Sequence, residues 1–163
     1  MLKHPYDTLV LANGARLIFT PCPGTKETTV NSAITTLKAA GTNMLITLMF
    51  DEEIEKNSAL SIPNECANQD IEWLQLPISD DAAPNQVFED VWQAHKQNII
   101  DLLNNNGVIA VHCKGGSGRT GLVIGLILLA FGWPSEKVVK EVQKIRPNAL
   151  KNKVQREYFN SYL

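Results

Sequence analysis

Short apolar runs alternate along the chain with segments in which apolar residues recur every three or four positions. The short runs are typical of buried strands, and the helical spacing predicts amphipathic helices. The predicted strands cover residues 9–11, 17–19, 44–49, 71–76 and 107–111. The predicted helices cover residues 27–40, 84–105, 119–130, 135–145 and 151–162. This alternation predicts an α/β sandwich with a central, mainly parallel sheet flanked by helices, and it leaves the strand order open.

Three of these elements carry finer predictions. The turn signal Asn13-Gly14 joins the first two strands into a hairpin. Residues 107–111 form a near-continuous apolar run, which is typical of a central strand covered on both faces. The expected apolar face of the helix over 84–105 consists of Val87, Val91, Ala94, Asn98 and Ile99.

Composition narrows the class of protein. With 163 residues and 44% hydrophobic side chains, the chain predicts one domain over residues 1–163. A net charge of −2 argues against a general binder of nucleic acid or acidic membranes. The longest apolar run, residues 121–133, is shorter than the ~20 residues that span a bilayer. The start Met1-Leu2-Lys3-His4-Pro5 lacks the apolar segment of a secretory signal, so we expect a cytoplasmic protein without membrane insertion.

Three cysteines, Cys22, Cys66 and Cys113, are too few and odd in number for a disulfide framework. Cys113 stands apart, in the segment His112-Cys113-Lys114-Gly115-Gly116-Ser117-Gly118-Arg119-Thr120-Gly121. A strand delivers the thiol to the edge of a sheet, and the glycines allow successive N–H groups to point inward as an anion-binding nest. The positive end of the next helix and Arg119 face the same point. This field favours the thiolate of Cys113 as a nucleophile beneath a bound phosphate.

Two other motifs fit the same glycines less well. Gly116-x-Gly118-x-x-Gly121 matches a dinucleotide fingerprint, but the 42 residues after it are too few for the rest of such a domain. A nucleotide-binding P-loop would need a lysine where Arg119 stands. The plain alternative makes Cys113 a small buried hydrophobe, an interpretation better suited to Cys22 and Cys66.

The segment His112-Cys113-x5-Arg119-Thr120 resembles the signature loop of the cysteine-dependent protein phosphatases. Pro77-Ile78-Ser79-Asp80, followed by Pro84 and a long helix, resembles the general-acid loop of dual-specificity phosphatases. Residues 146–150 and the segment up to Gln155 resemble their C-terminal glutamine region. The stretch at 22–26 resembles the start of the kinase-associated, cyclin-dependent-kinase-inhibitor-type members. The resemblance covers residues 15–162, and it implies the α/β sandwich of that family.

The resemblance also implies roles. Cys113 is the nucleophile, and Asp80 is the proton donor and later the base. Thr120 stabilises the departing thiolate, and His112 orients the loop. The residues that would bind the substrate phosphate are Lys114, Gly115, Gly116, Ser117, Gly118 and Arg119. No metal or other cofactor is expected, since the loop supplies the positive field.

Several assignments stay open at this stage. Asp81 competes with its neighbour Asp80 for the acid role, and Gln155 is as consistent with a solvated helical residue as with one that positions water. The cluster at 51–53 is interpreted as a charged helix start rather than as a contact to Arg119. Either of the other two cysteines could form a disulfide with an oxidised Cys113, which is the lesser expectation.

The leading hypothesis is a metal-independent phosphatase that acts on phosphotyrosine, and also on phosphoserine or phosphothreonine, in a phosphorylated protein substrate. The first alternative is a phosphoinositide or small phosphate-ester phosphatase, which Lys114 favours and Ser117 disfavours because lipid enzymes of the family usually carry a second lysine there. A more distant alternative is an inactive phosphate-binding adaptor. The sequence leaves the oligomeric state and the physiological substrate undetermined.

Overall fold

The computed structural model describes residues 3–26 and 28–163. A five-stranded sheet runs through the centre of the molecule in the order β1-β2-β5-β3-β4. Its strands are β1 (Asp7–Val10), β2 (Arg16–Thr20), β3 (Met44–Thr47), β4 (Glu72–Gln75) and β5 (Val108–His112). β1 pairs with β2 in the antiparallel sense, and the other three pairings are parallel. The predicted hairpin, the mainly parallel sheet and the central place of the last strand are confirmed.

Helices cover both faces of the sheet. One set consists of α1 (Val30–Ala39), α2 (Asp51–Lys56) and α3 (Ile62–Asn68). The other set consists of α4 (Gln86–Asn104), α5 (Gly118–Phe131), α6 (Ser135–Ile145) and α7 (Lys153–Asn160). None of the helices in the part of the chain that the structure describes is long and apolar enough to cross a membrane.

The alternation of side chains along each strand explains how one sheet contributes to two hydrophobic cores. In β2, Leu17 and Phe19 pack with α4–α7, whereas Ile18 packs with α1–α3. In β5, Val111 and Ala110 divide between the two cores in the same way. Successive side chains of a strand point to opposite faces, so a strand that is apolar throughout requires a helical layer on each side.

The predicted elements recur, but the first helix begins later than expected and one short helix was not predicted. The helix expected over 27–40 begins at Val30, and its predicted first residue, Glu27, lies outside the described residues, as do Met1 and Leu2 of the expected leaderless start. α2 begins with the charged cluster at 51–53, as the sequence indicated, whereas α3 was not predicted. With six and seven residues, both helices are too short to display a clear apolar period.

The expected apolar face of α4 was correct at Ile99, which is buried, and in part at Val91, but wrong at Val87, Ala94 and Asn98, which are exposed. The buried residues are Phe88, Trp92, Ile99 and Leu103, whereas Val87 is 54% exposed. The stacked rings of Phe88 and Trp92, with centroids 6.4 Å apart, anchor this face against the core. Large aromatic rings bury more area than the alanine and asparagine of the predicted stripe, so they determine which face turns inward.

Candidate active site

The ends of three strands meet where the cysteine loop begins. His112, the last residue of β5, lies in register with Thr20 of β2 and with Thr47 of β3. Cys113 therefore leaves the sheet at the carboxyl edge of its central strand, and α5 begins five residues later at Gly118. The N-cap residue of α5, Ser117, makes no side-chain capping bond. The first-turn N–H groups of the helix are thus available to an anion.

Two hydrogen-bond donors meet at the Cys113 sulfur. The backbone N–H of Gly116 lies 3.3 Å from Sγ, and the hydroxyl of Thr120 donates to it at 3.2 Å. Cys113 is 4% exposed, so these donors substitute for much of the water that would otherwise solvate a thiolate. Donors that converge on sulfur stabilise its anionic form, which is the nucleophilic one.

Gly116 is the glycine that the loop requires most strictly. Its φ of +81° lies in the left-handed region, where L side chains are strained. A Cβ at this position would also lie 2.7 Å from the carbonyl oxygen of Thr20. The close approach of the loop to the end of β2 therefore needs a residue without a side chain.

Arg119 is 2% exposed and is held along one edge of its guanidinium. Nη1 donates to Glu53 Oε1 at 2.7 Å and to the carbonyl of Ile78 at 3.0 Å, and Nη2 donates to Glu53 Oε2 at 2.8 Å. Among the described residues Nε has no hydrogen-bond partner, and it lies 3.6 Å from Asp80 Oδ1. The second edge, formed by Nε and the remaining N–H of Nη2, is the one that can grip an oxyanion.

The contact with Glu53 overturns one expectation. The cluster at 51–53 does begin a helix, but the interpretation that it makes no contact with Arg119 was wrong for Glu53. Burial alone would lower the pKa of Arg119, and the hydrogen bonds and charge of Glu53, with the charges of Cys113 and Asp80, raise it overall. Glu53 thereby fixes the guanidinium plane and keeps it charged in a buried setting.

His112 connects the loop to the sheet through a chain of hydrogen bonds. Its Nδ1 donates to the carbonyl of Cys113 at 3.0 Å, and its Nε2 lies 2.7 Å from Thr47 Oγ1. Thr47 Oγ1 also accepts the indole N–H of Trp73 at 2.8 Å. A carbonyl can only accept, so Nδ1 carries the proton and neutral His112 accepts the Thr47 hydroxyl at Nε2.

Burial lowers the pKa of His112 to about 4, and it lowers that of His4, which bonds to Thr20 behind the loop, to about 4 as well. Their ordinary pKa is 6.5. The unfolded chain therefore takes up these protons first as the pH falls, and folding stability decreases from about pH 6.5 towards pH 4. We expect a slope of up to about 1.4 kcal/mol per pH unit for each histidine in the free energy of unfolding measured with urea.

The matched control for this slope is His95, which is exposed on α4. His4→Gln should flatten the slope between pH 4.5 and pH 6.5, whereas His95→Gln should leave it unchanged. An equal slope in the wild type and in His4→Gln would show that buried His4 does not contribute.

A cavity of about 370 Å³ opens over the cysteine loop. Its lining includes the predicted residues Cys113, Lys114, Gly115, Ser117, Gly118 and Arg119, together with both carboxylates, Asp80 and Asp81. Asp80 is the one within ion-pair distance of Arg119, whereas Asp81 occupies a left-handed turn position with a φ of +57°. Thr25 and Lys26, which had no predicted role, also line the cavity from the β2–α1 loop.

Gln155 is buried beside the loop rather than in the cavity. Its Oε1 lies 3.6 Å from the position of a Cβ on Gly118, and it is not among the lining residues. Cys22 and Cys66 are free and buried, and burial is the main cause that raises the pKa of each thiol to about 12. Within residues 3–26 and 28–163, no cluster of three or more His, Cys, Asp or Glu side chains has the geometry of a metal site.

Comparison with known proteins places these features in a family. The family model of the Swiss Army Knife protein, DSP-PTPase phosphatase domain matches residues 23–159. Protein 067L of Invertebrate iridescent virus 3, whose name designates a candidate tyrosine phosphatase, is 32% identical over 130 residues, which are 75% of this chain and 50% of the viral protein. The chain spans half or less of the two iridescent-virus relatives that it matches.

Two further matches cover most of the chain. The PRL-1 phosphatase of Drosophila melanogaster is 25% identical over 150 residues, which are 92% of this chain and 79% of that protein. The crystal structure of a kinase-associated phosphatase with its catalytic cysteine replaced by serine superposes with a TM-score of 0.86. That match covers 99% of this chain and 95% of the other at 19% identity, so it shows a shared fold.

Proposed function

Since the chain belongs to the DSP-PTPase family of tyrosine and dual-specificity phosphatases, we propose that it hydrolyses phosphotyrosine, and also phosphoserine and phosphothreonine, in protein substrates. The observation that carries this proposal is the arrangement around Cys113. Its sulfur lies under two donors, and Arg119 lines the same cavity. A phosphate group bound there would have its phosphorus in front of a nucleophile.

The first half of the reaction transfers the phosphoryl group to sulfur. The Cys113 thiolate attacks phosphorus, the S–P bond forms and the bond from phosphorus to the leaving oxygen breaks. Asp80 gives its proton to that oxygen as the alcohol or phenol departs. The backbone N–H groups of 114–119 and Arg119 stabilise the charge on the three equatorial oxygens.

The second half returns the enzyme to its starting state. Asp80, now a carboxylate, takes a proton from water, the water oxygen attacks phosphorus, and the S–P bond breaks to release inorganic phosphate. The Thr120 hydroxyl, which lies 3.2 Å from Sγ, stabilises the thiolate as it leaves. We propose that His112 orients the loop through its hydrogen bond to the Cys113 carbonyl. Gln155, whose side chain lies beside Gly118, is proposed to position the attacking water.

A substrate panel run in the presence of a chelator tests the proposal. It contains phosphotyrosine, phosphoserine and phosphothreonine peptides and phosphoinositide vesicles. We expect hydrolysis of the phosphotyrosine peptide and inhibition by orthovanadate. Turnover that requires an added metal would contradict the mechanism, and tight phosphopeptide binding without turnover would favour the adaptor.

Asp80→Asn is expected to lower kcat by about 10²- to 10³-fold, because an amide cannot donate the proton that the leaving oxygen needs. Phosphate binding should persist, since the asparagine leaves the loop and Arg119 in place. The measurement is kcat on a phosphoserine peptide, whose alkoxide leaving group depends most on an acid.

The adjacent carboxylate provides the matched control. Asp81→Asn should keep kcat within about threefold of wild type, since asparagine tolerates the left-handed conformation of Asp81. A large loss in Asp81→Asn with little loss in Asp80→Asn would reverse the assignment.

One observation favours a second candidate, a phosphatase for phosphoinositides or other small esters with a second anionic group. Lys26 and Lys114 both line the cavity, and no aromatic side chain is among its described lining residues. Two ammonium groups attract a second anion, whereas an aromatic wall would favour the tyrosine ring. Faster turnover of phosphoinositide vesicles than of phosphotyrosine peptide would support this candidate.

We also propose a cytoplasmic location. All three cysteines are free, as expected for a reducing compartment. Cell fractionation with an antibody to the chain tests this point.

A further inference from the structure

The carbonyl groups of the cysteine loop are held from outside the site. The backbone N–H of Cys22 donates to the carbonyl of Lys114 at 3.0 Å, and Nε of Arg146 donates to the carbonyl of Gly116 at 3.0 Å. In a trans peptide the C=O and the following N–H point in opposite directions. A donor that holds the Gly116 carbonyl outward therefore turns the N–H of Ser117 inward, towards the nest.

Arg146 is itself held by two contacts. Its Nη1 lies 2.5 Å from Asp7 Oδ2 on the edge strand β1, and its guanidinium lies 5.7 Å from the ring centre of Phe19. The side chain is 17% exposed. The backbone at Arg146 leaves the helical conformation directly after α6, with φ −128° and ψ 91°, because the next residue is Pro147. This break directs the side chain away from the axis of α6 and towards the loop.

The glycines make such a support necessary. Gly116 adopts a left-handed conformation, and the space beside Gly115 is open, so this part of the loop has no side chains of its own to pack. Fixing peptide planes in advance removes the cost of reorganising them around an anion. Arg146 is not among the residues that line the cavity, so it acts on the ligand through the backbone of Gly116.

We propose that Arg146 is a positioning residue, anchored by Asp7, that holds the peptide between Gly116 and Ser117 in the orientation that binds the substrate phosphate. This inference rests on the proposed phosphatase function. It adds a residue outside the cavity to the set that determines the affinity of the loop for oxyanions.

Arg146→Met tests the inference with orthovanadate as the probe. We expect the vanadate dissociation constant and the KM for para-nitrophenyl phosphate to increase about 10- to 30-fold. Losses of this size are typical when a residue that orients a ligand-binding group is removed. The fall in kcat should be smaller, since Cys113 and Asp80 are unchanged. Lys144→Met, which removes an exposed cation from the last turn of α6, two residues before Arg146, is the matched control and should leave all three quantities within about twofold.

Milder variants keep the test valid if Arg146→Met folds poorly. Asp7→Asn removes the anchor but keeps the guanidinium, and we expect about a threefold weaker vanadate affinity. Arg146→Lys can still reach one partner and should recover part of the affinity. The variant with both Arg146→Met and Asp7→Asn should bind vanadate no more weakly than Arg146→Met alone, because the anchor acts only through the arginine.

The outcomes separate the two proposals. If the wild type binds and hydrolyses normally and folded Arg146→Met matches it in vanadate affinity, the role of Arg146 is overturned while the proposed function stands. If the variant loses affinity only in proportion to a lower Tm, and Lys144→Met behaves alike, the role is also overturned. If the wild type binds no vanadate and hydrolyses no phosphoester, both proposals fail.

Discussion

Cys113→Ser is expected to lower kcat by at least about four orders of magnitude, the scale seen when a covalent nucleophile is removed. A serine hydroxyl is not ionised at neutral pH, so it is a far weaker nucleophile than a cysteine thiolate. Serine still accepts from the N–H of Gly116 and the hydroxyl of Thr120, so the loop keeps its donors. The variant should therefore bind phosphotyrosine peptide without turning it over.

Calorimetry with the phosphotyrosine peptide and a release assay for inorganic phosphate measure the two quantities separately. Cys66→Ala is the matched control. Cys66 lies on α3 and is buried in the core between α1–α3 and the sheet, and its burial raises the thiol pKa to about 12. The control variant should retain near wild-type kcat in the folded fraction. Activity that survives in Cys113→Ser at more than about one per cent would exclude Cys113 as the nucleophile.

Arg119→Lys is expected to lower kcat/KM by about 10³-fold although the positive charge is kept. The guanidinium uses three N–H groups on Glu53 and Ile78, and Arg119 also lines the cavity. An ammonium group has a single nitrogen, so it cannot hold Glu53 and grip two phosphate oxygens at once. The loss of one oriented donor to a developing oxyanion costs about 10²- to 10³-fold.

A substitution at Glu53, the carboxylate that pairs with Arg119, separates the effect of guanidinium orientation from that of its charge. Glu53→Gln keeps an acceptor for Nη1 but removes the bidentate ion pair, and we expect about a tenfold loss in kcat/KM. Steady-state kinetics on para-nitrophenyl phosphate measure both variants at the same pH. If Arg119→Lys retains more activity than Glu53→Gln, bidentate phosphate binding by Arg119 is refuted.

The parts of the site that are local in sequence were predictable. Residues 112–120 contain the strand end, the glycine turn and the helix start, so one short segment predicts the position of Cys113 and Arg119 beside each other. Strand pattern likewise predicted β5 as a central strand, because it is apolar on both faces. The acid loop was located by resemblance, and geometry favours Asp80 over Asp81.

The missed parts depend on contacts between distant segments. Glu53 meets Arg119 only because β3 and β5 are neighbours in the sheet, and the sequence left the strand order open. Lys26 faces the cavity from a loop without a periodic pattern. The inward face of α4 was predicted only in part, because spacing alone did not weigh the packing of Phe88 and Trp92 against that of smaller residues.

The hydrogen bonds of Arg146 have a consequence for synthesis of the chain. The pair with Asp7 joins residues 139 positions apart, and the donor to Gly116 comes from 30 positions downstream of the loop. A nascent chain that ends before residue 146 already contains the whole cysteine loop and the sheet, yet it lacks the side chain that orients the Gly116 peptide. We therefore expect the loop to reach its full oxyanion affinity only after residue 146 has been synthesised and its side chain has reached the Gly116 carbonyl.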